Sequence, residues 1–260
     1  MITISPFETY MMHAGTLNFL HKQHLSGSLQ KPERMGSTEL SIVKMVNNPK
    51  KTEGFVLTIP IIGLIGRYGD RSSRGYEDIV DLIKEYNYTD DIKLCILELD
   101  GPGGEANGTR ELYLALKNSK KPVYAFIKGM AASAHYYIAA GCKEIYCESN
   151  TSKVGSIGAL AIIEHTTNPN IRYEILRARG SENKVKQNSI EPITDEIRKE
   201  VIDGITEMRD LFVADVNETR KVNIEATTGN VYMAQMAKSY GLIDGIKNKQ
   251  EFLKYLTKKI

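Results

Sequence analysis

Two periodicities divide the chain from Gly54 onward. Short apolar runs of strand length lie at Phe55–Ile65, Leu94–Leu99, Pro122–Ile127 and Glu144–Glu148. Between them stand stretches with helical spacing. Tyr76–Tyr86 carries Ile79, Val80, Leu82 and Ile83; Asn107–Asn118 carries Leu112, Leu114 and Leu116; Ala131–Ala140 is almost wholly apolar and is followed by Gly141, a residue suited to cap a helix C-terminus. Pro60 is expected to interrupt the first run, because proline offers no donor to a sheet ladder. Strands alternating with helices predict βαβ units around a mainly parallel sheet. Further on, Ile197, Val201, Ile205, Met208, Phe212 and Val216 follow one another at intervals of three or four, one stripe of a long helix over Thr194–Val216. Thr194 is its expected N-cap, with Asp195 and Glu196 in the first turn.

Residues 1–53 break this rhythm. Ser26–Ser37 is loop-like, and Asn47–Lys51 reads as a turn. We expect 1–53 to be an N-terminal arm and 54–260 a single α/β domain. Lys and Arg number 34 against 32 Asp and Glu, a net charge of +2, which lacks the basic excess of a dedicated nucleic-acid binder. The cysteines Cys95, Cys142 and Cys147 are odd in number and have no C-x-x-C spacing. That disfavours a disulfide framework or a thiolate zinc site and fits a reducing, cytoplasmic setting. The longest apolar run is too short and too interrupted to span a bilayer. No cofactor or metal is implied.

Three short stretches carry candidate chemistry. Asp100-Gly101-Pro102-Gly103-Gly104 follows a strand; its glycines either make a plain tight turn or free backbone N–H groups to face an oxyanion. Gly129-Met130-Ala131-Ala132-Ser133-Ala134-His135 joins a strand to a helix, where Ser133 is either a helix cap or a nucleophile among small neighbours. His135 stands two positions from Ser133 on one helix, so the two side chains do not share a face. Val154-Gly155-Ser156-Ile157-Gly158 sets a serine between glycines.

In this order the three stretches resemble the signal peptide peptidase A (protease IV) family of serine peptidases, within the ClpP/crotonase fold. Ser156 follows Ser133 by 23 residues, and Gly229-Asn-Val-Tyr with Tyr240-Gly-Leu-Ile-Asp-Gly is similar to the family's closing motif. The resemblance covers Phe55 to Ile246. It implies a spiral of βαβ units and a Ser–Lys dyad acting on a protein or peptide substrate. Ser133 becomes the nucleophile. Lys184, 51 residues on within Ser181-Glu-Asn-Lys184, becomes the base, with Lys186 as its rival and Ser156 as the residue that orients it. Backbone N–H groups of Gly103 or Gly104 and of Ala134 form the oxyanion hole. The resemblance further implies a homo-oligomer, with the dyad completed across subunits and with the long helix and N-terminal arm at interfaces. Without an N-terminal span, the phage-type role suits the sequence better: cleavage of scaffold or capsid proteins during head maturation. Two other classes compete with this reading: an inactive structural subunit of a phage head that keeps the fold, and a crotonase-like acyl-CoA enzyme that would use the same oxyanion geometry without needing Ser133 and Lys184 together.

Overall fold

A computed structural model describes residues 9–12, 40–47, 52–69, 73–163, 175–179, 186 and 191–260. Along the chain its elements are β1 (Thr9–Met12), β2 (Ser41–Asn47), β3 (Thr52–Ile65), α1 (Tyr76–Tyr88), β4 (Ile92–Glu105), α2 (Thr109–Lys117), β5 (Val123–Ala132), α3 (Ala134–Ala140), β6 (Glu144–Cys147), β7 (Lys153–Gly155), β8 (Leu160–Ala161), α4 (Asp195–Thr219), β9 (Val231–Met233), α5 (Ala234–Ser239), β10 (Gly245–Ile246) and α6 (Lys249–Thr257).

The expected architecture is the one adopted. Strands β3, β4, β5, β6 and β10 lie side by side and parallel, with helices in the connections. Both faces of this sheet are covered, which is why its strands read as continuous apolar runs. On β4, Cys95, Leu97 and Leu99 face the main core with Ile79, Ile83, Leu112 and Tyr137. The intervening Leu94 and Ile96 join Val56, Tyr124 and Phe126 under α6, where Phe126 and Phe252 stack at 4.7 Å.

Pro60 does not interrupt β3. Among the described residues the β2 pairing ends at Ser41↔Thr58, so Pro60 lies beyond it, on a stretch of β3 paired with β4, and proline is tolerated where it has no ladder donor to supply. Two stretches of the 1–53 segment also enter the sheet: β2 pairs with β3, and β1 pairs with β4 and β8.

Helix α4 is longer than its pattern predicted by three residues, and Thr194 caps it by accepting from the Ile197 N–H at 3.2 Å. Only Phe212, Asp215 and Val216 on it are buried, while Ile202, Met208 and Leu211 are exposed. Its last turns are fastened by Asp215, which accepts from Arg110 at 2.7 and 3.1 Å and from the Tyr137 hydroxyl. Burial works against this carboxylate's charge, but Arg110 and Tyr137 outweigh it and hold Asp215 below the ordinary aspartate range.

The parallel sheet forks at one end. Pairing of β4 with β5 runs regularly to Leu99↔Ile127 and then jumps to Gly101↔Ala131. Asp100 Oδ1 fills the irregularity by accepting from the Met130 N–H at 3.0 Å. Beyond it, β5 exchanges β6 for β7, and β4, still paired with β3, exchanges β5 for β1.

Candidate active site

The fork is where the three motifs meet. Parallel pairing of β5 with β7 ends at Ala132↔Gly155, so the next residues along the two strands are Ser133 and Ser156. The Ser133 N–H donates to the Gly155 carbonyl at 2.8 Å. Ser156 is fixed from the other side, its N–H donating to the Asn230 carbonyl at 2.6 Å just ahead of β9. Asn230 belongs to the Gly229-Asn-Val-Tyr motif, so the closing motif works by backing the second serine. That contact is made by a backbone carbonyl, which no side-chain pattern announces.

Both serines adopt φ of 55°, and they are the only non-glycine residues with positive φ among the described residues. Such a backbone costs of order 1–3 kcal/mol and persists only where its surroundings impose it. At Ser133, with ψ of −120°, it makes the sharp strand-to-helix turn that sets a hydroxyl at the end of a sheet. Ser133 stands at the N-cap position of α3, yet its side chain makes no capping hydrogen bond. The capping alternative therefore does not account for the serine.

Gly101–Gly104 is not the tight turn the sequence left open. These residues continue β4, with Gly103 and Gly104 flanked by Leu64 and Ile65 of β3 on one side and by Met12 and Met11 of β1 on the other. Glycine is required for the close approach: a Cβ on Gly104 would overlap the Ile65 carbonyl oxygen. Gly101 pairs with Ala131, two residues before Ser133, which brings the glycine strand to the edge of the serine turn.

His135 is fully buried and packs toward Gly101 and the Gly63 carbonyl. Neither ring nitrogen has a hydrogen-bond partner among the described residues. Burial pushes its pKa down to about 4; the Ile61 carbonyl pulls the other way without meeting the geometry of a hydrogen bond. With no hydrogen bond to the Ser133 hydroxyl and with its proton affinity lowered by burial, this imidazole is not placed to act as the base of Ser133.

Residues 115–260 match the profile of peptidase family S49. The chain belongs to peptidase family S49. A candidate protease of Methanocaldococcus jannaschii is 27% identical over 185 residues, 68% of this chain and 59% of that protein. The head-tail preconnector protein GP5 of Enterobacteria phage P21 is 25% identical over 211 residues, 75% of this chain and 41% of that one. The chain thus spans about two-fifths to three-fifths of the length of these relatives. A ClpP1 variant of Listeria monocytogenes superposes with a TM-score of 0.49 at 14% identity, over 75% of this chain and 93% of that one.

In this S49 chain the structure brings Ser133, Ala134, Ser156 and the Gly101–Gly104 strand to one place, and Lys184 lies outside the described residues. Its rival Lys186 is engaged by Glu200 at 3.3 Å and Glu196 at 3.5 Å on α4. The Glu200 contact, followed by the charge of Glu196, keeps the Lys186 ammonium above its ordinary value. Arg177 holds Glu191 through two contacts, at 2.9 and 2.6 Å, and Lys184 lies between these two residues in the sequence. Among the described residues no helix is long and apolar enough to cross a membrane.

Proposed function

We propose that this S49 chain is a serine endopeptidase that works through a Ser133–Lys184 dyad. The observation that carries the reading is the pair of serines on adjacent strands, both held at φ of 55° beside the glycine strand. Strain of this kind at two neighbouring hydroxyl residues serves the placement of functional groups better than it serves stability.

In this reading the Ser133 Oγ attacks the scissile carbonyl carbon while its proton passes to the neutral Lys184 amine. The tetrahedral oxyanion is held by the Ala134 N–H and by an N–H of Gly103 or Gly104. Lysine then returns the proton to the departing amine, leaving an acyl-enzyme ester. Water attacks the ester carbonyl while its proton passes to the lysine; the ester C–O bond then breaks, the lysine hands that proton to the departing Ser133 Oγ, and the acid product leaves with the serine hydroxyl and the neutral amine restored. Ser156 orients the amine. Free lysine titrates near 10.4, so the site must desolvate the amine for it to accept a proton near neutral pH. Lys186, held charged by two carboxylates, is the poorer base, which supports Lys184 between the two.

The phage P21 relative, a head-tail preconnector protein by name, supports a substrate among phage head proteins. The exposed apolar residues of α4 support assembly into a homo-oligomer through that helix, with the site completed by a neighbouring subunit. The arm at 1–53 and the peptidase domain at 54–260 remain our division of the chain.

Labelling with a fluorophosphonate followed by mass mapping tests the reading. The label is expected on Ser133, and Ser133→Ala is expected to lose both label and casein cleavage. A label on another residue, with Ser133→Ala still cleaving, overturns it.

A further inference from the structure

We propose that the strand slot beside Ser133 is filled by the chain's own N-terminal strand β1, so that the peptidase described here rests in a self-occupied state. The inference rests on the peptidase reading above and names the regulation of that same site.

Three observations carry it. The first is the pairing. Strand β1 lies between two others and runs antiparallel to both: Tyr10↔Glu105, Met11↔Gly104 and Met12↔Gly103 toward β4, and Thr9↔Ala161 and Tyr10↔Leu160 toward β8. The slot is therefore one strand wide, bounded by the glycine strand and by the segment that starts four residues after Ser156.

The second is direction. Running antiparallel to β4, β1 advances from Glu105 toward Gly103, and hence toward Gly101, whose partner Ala131 lies two residues before Ser133. An extended polypeptide laid in this slot is aimed at the nucleophile.

The third is the donors. In a strand, successive residues direct their N–H and C=O groups to opposite edges. Gly103 and Gly104 are consecutive and flanked on both sides, so one of them presents its N–H toward β1 and the other toward β3. The glycine edge that an extended substrate would use is already taken by β1. Consistent with this, Ser133 retains only 1% of its surface. Strand addition at a sheet edge accepts one strand at a time, so β1 and a substrate compete.

The experiment uses the full chain with one proline in β1, since proline removes a ladder donor. Met11→Pro and, separately, Tyr10→Pro are compared with the parent for cleavage of casein. The same three backgrounds, each carrying Ser133→Ala, are titrated with a fluorescein-labelled peptide of residues 5–14. Either proline variant is expected to raise kcat/KM roughly 2- to 12-fold, the equivalent of one net hydrogen bond. The peptide is expected to bind the proline chains at least that much more tightly than chains with β1 intact. Cleavage that is measurable and equal in the parent and both proline variants overturns the proposal, as does peptide binding that ignores the proline. Peptide binding that depends on the proline, in chains that cleave nothing, supports the self-occupied slot and overturns the peptidase reading instead.

Discussion

Mild acid is expected to destabilise this protein through one enclosed imidazole. His135 is fully buried, with neither nitrogen hydrogen-bonded, and burial lowers its pKa from 6.5 to about 4. The folded chain therefore keeps the ring neutral where the unfolded chain already binds a proton. Between those two values the unfolded state holds more protons, so stability rises with pH across that window and is complete above it. A shift of about 2.5 units corresponds to about 3 kcal/mol, of which about 2 kcal/mol is lost by about pH 5. This is a large share of an ordinary folding free energy. Asp215 and Glu144, both held below their ordinary values, act in a lower window, as pH falls through their depressed folded values. Urea unfolding of the parent and of His135→Leu at a series of pH values between about 7 and 4.5 separates the contributions. Leucine fills much of the same space, does not titrate and leaves no buried nitrogen without a partner, so its cost at neutral pH is expected to be small. The stability gap between parent and variant should shift toward the variant by about 2 kcal/mol on going to about pH 5. Parallel loss of stability in the two chains would refute the reasoning, because the acid sensitivity would then lie outside His135.

Other outcomes follow from the same geometry. Lys184→Ala is expected to remove turnover of casein by ~10³-fold or more, while Lys186→Ala retains most of it; activity of the parent should rise with pH along a limb that Lys184→Ala lacks. Asp215→Ala leaves Arg110 and the Tyr137 hydroxyl without their carboxylate. Because Arg110 is about half exposed, the cost should fall near 2–3 kcal/mol, below the ~3–5 kcal/mol of a fully buried pair, as read by thermal melting. Gly104→Ala sets a methyl group against the Ile65 carbonyl oxygen and is expected to cost ~1–3 kcal/mol by urea unfolding, with loss of fluorophosphonate labelling as β4 shifts. Sedimentation at micromolar concentration should show species heavier than the 29.1 kDa chain, and charged substitutions at the exposed Ile202 and Leu211 of α4 should return it to that mass.

What the sequence determined by itself is local. The alternation of apolar runs with helical stripes predicted β3 to β6 and the helices between them, because a strand covered on both faces leaves a continuous apolar run and an amphipathic helix leaves a period in its own residues. The Thr194 cap and the serine at a strand-to-helix junction were legible for the same reason: each is made within a few residues. The tertiary structure decided what depends on partners far away in the chain. Gly-Pro-Gly-Gly reads as a turn, yet it continues β4 because Leu64, Ile65, Met11 and Met12 come from elsewhere to flank it. The stripe of α4 is legible as an apolar face, but which part of it meets this chain's core is not: among the described residues Phe212 and Val216, at its end, are the stripe residues that are buried, since a stripe shows that a face is apolar and not what covers it. The N-terminal stretch reads as an arm, but its sequence does not say where it packs; the pairing of Thr9–Met12 beside the glycine strand comes from the sheet. The backbone carbonyls of Gly155 and Asn230 that position the two serines carry no side-chain signature at all. Sheet register joins residues by backbone hydrogen bonds that nearly every amino acid can make, so it is settled by the packing of the whole chain.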